Sequence, residues 1–183
     1  LENIKATLII TVITFLIAIL VTLISQSQVH YMSLGPAVFV LLIIIFTGVL
    51  SDMVGVAATV AREEPFNAKA SKKVFGAKYG LYLAQHGERV ASLMCDIVGD
   101  ICGTVSGAIG AVIVLRIVKN FGTPQTPINL ILIGIISALT VGGKAYCKRF
   151  GIEKSEEIIF LAGKFLATFG YLNRSFLDKI RGE

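Results

Sequence analysis

Four long apolar runs constrain this chain more than any other feature. They occupy residues 4–24, 37–61, 90–118 and 128–146. A helix needs about 20 apolar residues to cross the hydrocarbon core of a bilayer, and each run is close to that length. In lipid the backbone must satisfy its own hydrogen bonds, so the expected element is a helix in every case. The first run carries charge only at its start, on Glu2 and Lys5. It is longer than the apolar core of a cleaved signal peptide, so it reads as a retained span.

Composition supports this reading. Of 183 residues, 55% are apolar and 16% charged, whereas soluble domains carry about a quarter charged residues. The net charge of +5 is therefore read by position. Apart from Arg116 and Lys119, every Lys and Arg falls at or near one side of a four-span arrangement. The positive-inside rule makes that side the cytoplasm and places both termini there, in a plasma (inner) membrane. No basic patch interleaves with aromatics as a base-stacking platform would, so no nucleic-acid partner is expected.

The connectors are informative. Gly35-Pro36 opens the second run, and Pro is tolerated in a first helical turn. Arg62-Glu63-Glu64-Pro65 ends it, because Pro disfavours helix in the residue before it. Residues 62–89 then read as a cytoplasmic or interfacial helical hairpin, with short segments at 67–75 and 78–85. Lys69, Lys72, Lys73 and Lys78 are placed to face lipid phosphates, with Val74, Phe75, Leu81, Tyr82 and Leu83 toward the acyl boundary. Thr123 to Pro127 is an expected turn. The tail, 152–183, shows Ile158, Leu161, Phe165, Phe169, Leu172, Phe176 and Ile180 at three- and four-residue spacing. That pattern predicts an amphipathic helix on or beneath the membrane domain. The expected organisation is thus an additional N-terminal span with its connector at 1–33, a membrane domain at 34–151, and a cytoplasmic-side helix at 152–183.

Polar residues inside the runs are the functional candidates. Asp96 and Asp100 are four apart and share a helical face, with Gly99, Gly103 and Gly107 on a neighbouring line. Acids facing inward beside a glycine groove suggest a cation site; the alternative is helix capping and packing. Phe46-Thr47-Gly48 is expected to interrupt the second run, and Ser51-Asp52 follows it. Gly142-Gly143-Lys144 lies near the end of the fourth. At 1.5 Å per helical residue from the span centres, Asp52 lies ~7 Å to the cytoplasmic side, Asp100 ~4 Å, and Asp96 and Lys144 ~10 Å. Three helices therefore carry their strongly polar groups at similar depth.

These motifs resemble the membrane domain of the CNNM/CorB/CorC magnesium transporters. Phe46-Thr47-Gly48 and Ser51-Asp52 resemble that family's Phe-Ser-Gly and Ser-Glu elements, with a two-residue insertion. Gly87-Glu88-Arg89-Val90-Ala91-Ser92 resembles the lead into its next span, where Asp96 and Asp100 stand in place of two asparagines. Gly143-Lys144-Ala145-Tyr146-Cys147-Lys148 falls on a Gly-Glu-x-x-Pro-Lys element, and Glu156-Glu157-Ile158-Ile159 on the following helix start. The resemblance covers roughly residues 34–172. It implies transport of a divalent cation, magnesium or cobalt, and a homodimer formed through membrane helices. The implied cation ligands are Thr47, Ser51, Asp52, Asp96 and Asp100, with Gly143 and Lys144 modulating the site. No resident cofactor is implied. The family's nucleotide-binding CBS pair has no counterpart in these residues, and a separate regulatory subunit is one partner that could carry it.

The departures from the family pattern matter. Lysine is donor-only and cannot ligate a metal, so Lys144 would either compete with the cation or replace it. A non-transporting scaffold or subunit, its acids paired with Lys144, is the alternative. An enzyme is not expected, since Cys95, Ser106 and Cys147 have no histidine at plausible depth to act as base. The three cysteines read as reduced packing residues, and His30 and His86 as surface residues.

Overall fold

The computed structural model describes residues 2–122 and 124–172. All regular structure among them is helical: α1 (Glu2–Tyr31), α2 (Leu34–Val60), α3 (Glu64–Ser71), α4 (Ala77–Gln85), α5 (Gly87–Ala91), a π-helical segment (Ser92–Gly99), α6 (Asp100–Phe121), α7 (Gln125–Glu153) and α8 (Ser155–Leu172). Four stretches are long and apolar enough to cross a membrane: Thr11–Val29, Leu34–Val60, Gly87–Phe121 and Gln125–Glu153. The expected Phe176 and Ile180 positions of the tail helix lie outside the described residues, as does Thr123 of the expected turn.

Several boundaries moved for simple reasons. Pro65 sits in the first turn of α3, where its missing N–H is not needed, so that helix begins earlier than 67. In the same way α7 begins at Gln125 and takes Pro127 into its first turn. The expected interruption at Phe46-Thr47-Gly48 does not occur. α2 is continuous there, and the Thr47 hydroxyl is accommodated by donating to the Ile43 carbonyl at 2.8 Å, one turn back.

The chain divides into two compact units. The first comprises residues 1–50 and 97–145, and the second 51–96 and 146–183. The expected membrane segment, 34–151, contributes to both.

In the first unit the core is built from four-residue stripes. Ala37, Leu41, Ile45 and Val49 are buried along α2, and Ile101, Val105, Ile109 and Ile113 along α6. That spacing lines up side chains on one helix face, where they interleave with a neighbour. Helices come closest where a side chain is missing. A Cβ on Gly48 would stand 2.8 Å from Cβ of Cys102, and one on Gly110 would strike Ile136. Arg116 of α6 donates from Nη2 to the Val29 carbonyl at 2.8 Å, satisfying an oxygen in the last turn of α1. Most of the described large side chains of α1 and α7 remain exposed, among them Phe15, Leu16, Leu20, Leu130, Ile131 and Ile135. An apolar surface this extensive suits lipid rather than water.

The second unit has its own core of Ala57, Ala58, Phe66, Leu83, Ile158 and Ile159. Here α8 meets α4 backbone to backbone. A Cβ on Gly163 would lie 2.6 Å from the Gly80 nitrogen and 2.7 Å from the Gly76 carbonyl oxygen. Gly76 itself has φ of 81°, a left-handed conformation that starts α4 and that glycine adopts without penalty. Phe66 fits beneath Gly80, which fixes α3 on the same frame.

Candidate functional site

Among the described residues, the second unit holds the most buried acid. Asp52 lies on α2 with its side chain 2% exposed, and its Oδ2 stands 3.1 Å from Nζ of Lys148 on α7. Burying a lone carboxylate costs several kcal/mol, so the ammonium is what makes the position tolerable. Lys148 is 46% exposed and reaches inward by its aliphatic stem. Ser51 is also buried, and its hydroxyl donates to the Met94 carbonyl at 2.7 Å. The Cys95 thiol donates to the Asp52 carbonyl at 3.6 Å.

These contacts tie α2 to the π-helical segment. A carbonyl has two lone pairs, so Met94 can take a side-chain donor without leaving the helix. Gly55 makes the approach possible, since a Cβ there would press on Ala91 and Met94 at 3.3 Å. Short π-helical stretches are rare and recur at functional sites. Gly151 of α7 approaches the Met53 carbonyl, and this brings Lys148, less than one turn earlier, alongside Asp52.

The first unit holds a second, looser pair. Lys144 Nζ stands 3.8 Å from Asp100 Oδ1. The Asp100 side chain is 74% exposed and that of Lys144 is 21% exposed. Thr47 is exposed, with its hydroxyl already committed within α2. Gly143 packs against Val49, where a Cβ would come within 3.0 Å of that side chain.

The expected inward pair is not inward: Asp96 and Asp100 are both exposed. Nor do the glycines beside them make one groove. Gly99 is buried, but a Cβ on Gly103 or Gly107 would meet nothing within 4 Å. Four-residue spacing fixes which residues share a line, while a continuous groove also needs a neighbouring helix along the whole line. Thr47 and Asp100 belong to the first unit, and Ser51, Asp52 and Asp96 to the second. Among the described residues, no group of three or more His, Cys, Asp or Glu side chains is gathered in a way that could hold a metal ion.

Sequence reasoning missed two features. Lys148 enters the sequence reading only as the last residue of the Gly143 to Lys148 element and not as a partner for an acid, although it falls four residues after Lys144 on the same helix face. The π-helical segment has no sequence signal beyond Gly99 at its end. His86 is half-buried rather than a surface residue, with Nδ1 3.0 Å from the Tyr82 carbonyl and its ring centre 4.3 Å from that of Tyr82. The three cysteines are free thiols.

No family model matches the chain, and neither a curated protein nor a solved structure is similar to it.

Proposed function

We propose that this chain is an integral membrane protein that transports a cation, with Asp52 as the acid for which the cation and Lys148 compete. The observation that carries the reading is the buried Asp52–Lys148 pair on helices of membrane-spanning length. Ionisable residues at such positions are costly and generally mark an ion path. Lys148, already half in solvent, is a resident positive charge that an arriving cation would displace. Ser51, the neighbour of Asp52 in sequence, and the Met94 carbonyl it bonds are neutral oxygens of the kind a divalent ion such as magnesium or cobalt requires. The membrane would be the plasma (inner) membrane, with both termini cytoplasmic as the basic residues suggest. Asp96 and Asp100, exposed on a span-length stretch, would need cover from hydrocarbon, and a second copy in a homodimer supplies it.

The pairing of acids with lysines supports a second reading, a membrane scaffold or subunit that moves nothing. Asp52 and Asp100 each already face an ammonium. Flux in proteoliposomes separates the two. Transport predicts uptake of magnesium, cobalt, manganese or sodium that Asp52→Asn abolishes and Arg149→Gln leaves intact. Absence of flux for all four ions would leave the scaffold.

A further inference from the structure

Two ammonium groups converge on one aromatic ring in the second unit. Lys69 Nζ, from α3, stands 4.4 Å from the centre of the Phe160 ring. Lys164 Nζ, from α8, stands 4.5 Å from the same centre. The two charges are thus within about 9 Å of each other and repel. Among the described residues neither is salt-bridged to a carboxylate. The contact with the ring offsets part of the repulsion, but an anion within reach of both would offset it far better. The frame holding them is stiff: Phe66 pins α3 under Gly80, and the Gly163 contact pins α8 to α4.

An apolar stripe runs beside this pair. Leu161, Phe165 and Phe169 follow at four-residue spacing on α8, all exposed, with the two phenylalanine rings 5.5 Å apart. Lys164 lies on the adjoining line of the same helix. Val74 and Phe75 are exposed as well, between Lys72, Lys73 and Lys78.

We infer that Lys69 and Lys164 bind the phosphate of an anionic phospholipid whose acyl chains lie along Leu161, Phe165 and Phe169. A free phosphate would satisfy the ammonium pair and leave the aromatic stripe uncovered. A second copy meeting this surface with the same surface would set these lysines against their own counterparts, like charge against like. A lipid with an anionic head and apolar tails matches both halves of the surface. The inference shares with the functional proposal only the membrane setting. Lipid binding is read without flux, so either can fail alone.

The test uses the full chain in neutral detergent, titrated with short-chain phosphatidylglycerol, short-chain phosphatidylcholine or inorganic phosphate and followed by calorimetry. Phosphatidylglycerol is expected to bind at least tenfold more tightly than phosphatidylcholine, and inorganic phosphate not to displace it. A lysine near an anionic surface contributes about fivefold, so Lys69→Gln with Lys164→Gln is expected to weaken phosphatidylglycerol binding roughly 25-fold. Each single change is expected to weaken it about fivefold, which keeps the test available should the double variant not fold. Lys69→Arg with Lys164→Arg is expected to retain binding. Equal binding of the two lipids, or full binding by the glutamine variants, would overturn the inference. Inorganic phosphate binding as tightly as phosphatidylglycerol would overturn the choice of a lipid.

Discussion

Asp52 and Asp100 each face a lysine of α7, yet their settings differ in every quantity that matters. In the second unit the carboxylate is 2% exposed and 3.1 Å from its partner; in the first it is 74% exposed and 3.8 Å away. The surrounding packing differs in the same sense. Gly55, Gly87, Gly151 and Gly163 of the second unit are each pressed by neighbouring atoms, whereas the first unit is mixed: Gly48, Gly110 and Gly143 are pressed, but Gly103 and Gly107, on the helix that carries Asp100, and Gly134 and Gly142 face open space. One unit is packed around its charge, and the other presents its charge on a surface. Exposed pairs contribute little in water, while a buried acid depends on its partner. The comparison therefore assigns the tight pair a role within the chain and leaves the loose pair for whatever covers that surface.

The largest expected effect comes from removing the ammonium while keeping the buried acid. Lys148→Met should cost about 2–4 kcal/mol of stability, somewhat below the cost of breaking a fully buried pair because Lys148 is half exposed. Adding Asp52→Asn should recover most of the loss, since no charge is then stranded. Thermal unfolding in detergent measures both. If Lys148→Met melts like the parent, Asp52 has another source of compensation and the contrast between the units collapses.

Packing supplies the next test. Gly163→Val puts side-chain atoms against the Gly80 nitrogen and the Gly76 carbonyl, so it should cost about 1–3 kcal/mol as α8 is pushed from α4. Gly107→Ala meets nothing and should be neutral, or stabilising by up to about 1 kcal/mol through helix propensity. Both changes insert carbon at a helical glycine, so opposite signs would isolate packing from propensity. Equal losses would mean that the space beside Gly107 is filled in the assembled protein.

The spans were legible because apolar runs of bilayer length admit few folds, and Pro65 and Gly76 mark real helix borders at α3 and α4. The identity of the buried acid was not legible. Spacing showed that Asp96 and Asp100 share a line, but which line faces a neighbour is decided by the other helices. Asp52, in contrast, lies three residues beyond the last member of the stripe Ala37, Leu41, Ile45 and Val49, and thus on its buried side. That continuation was available in the sequence. Thr47 beside Gly48 suggested a break because a polar residue and a glycine interrupt the apolar run. A hydroxyl that bonds its own backbone, and a glycine that seats Cys102, produce the same letters in an unbroken helix.

The smallest expected effect tests the loose pair. Asp100→Asn removes a carboxylate that is three-quarters exposed and 3.8 Å from Lys144, so in detergent, where water reaches it, the loss should stay below about 1 kcal/mol. The informative comparison is the same variant in a bilayer. A carboxylate three-quarters exposed to hydrocarbon is costly even beside Lys144, whose long stem lets its ammonium reach toward the headgroups, so neutralising Asp100 should stabilise a chain that is monomeric there. If a second copy covers Asp100, neutralisation should instead weaken association, which subunit exchange between two fluorescently labelled populations would detect. Stabilisation in the bilayer with unchanged exchange would leave the homodimer without its physical motive, while the Asp52–Lys148 pair would be untouched by that result.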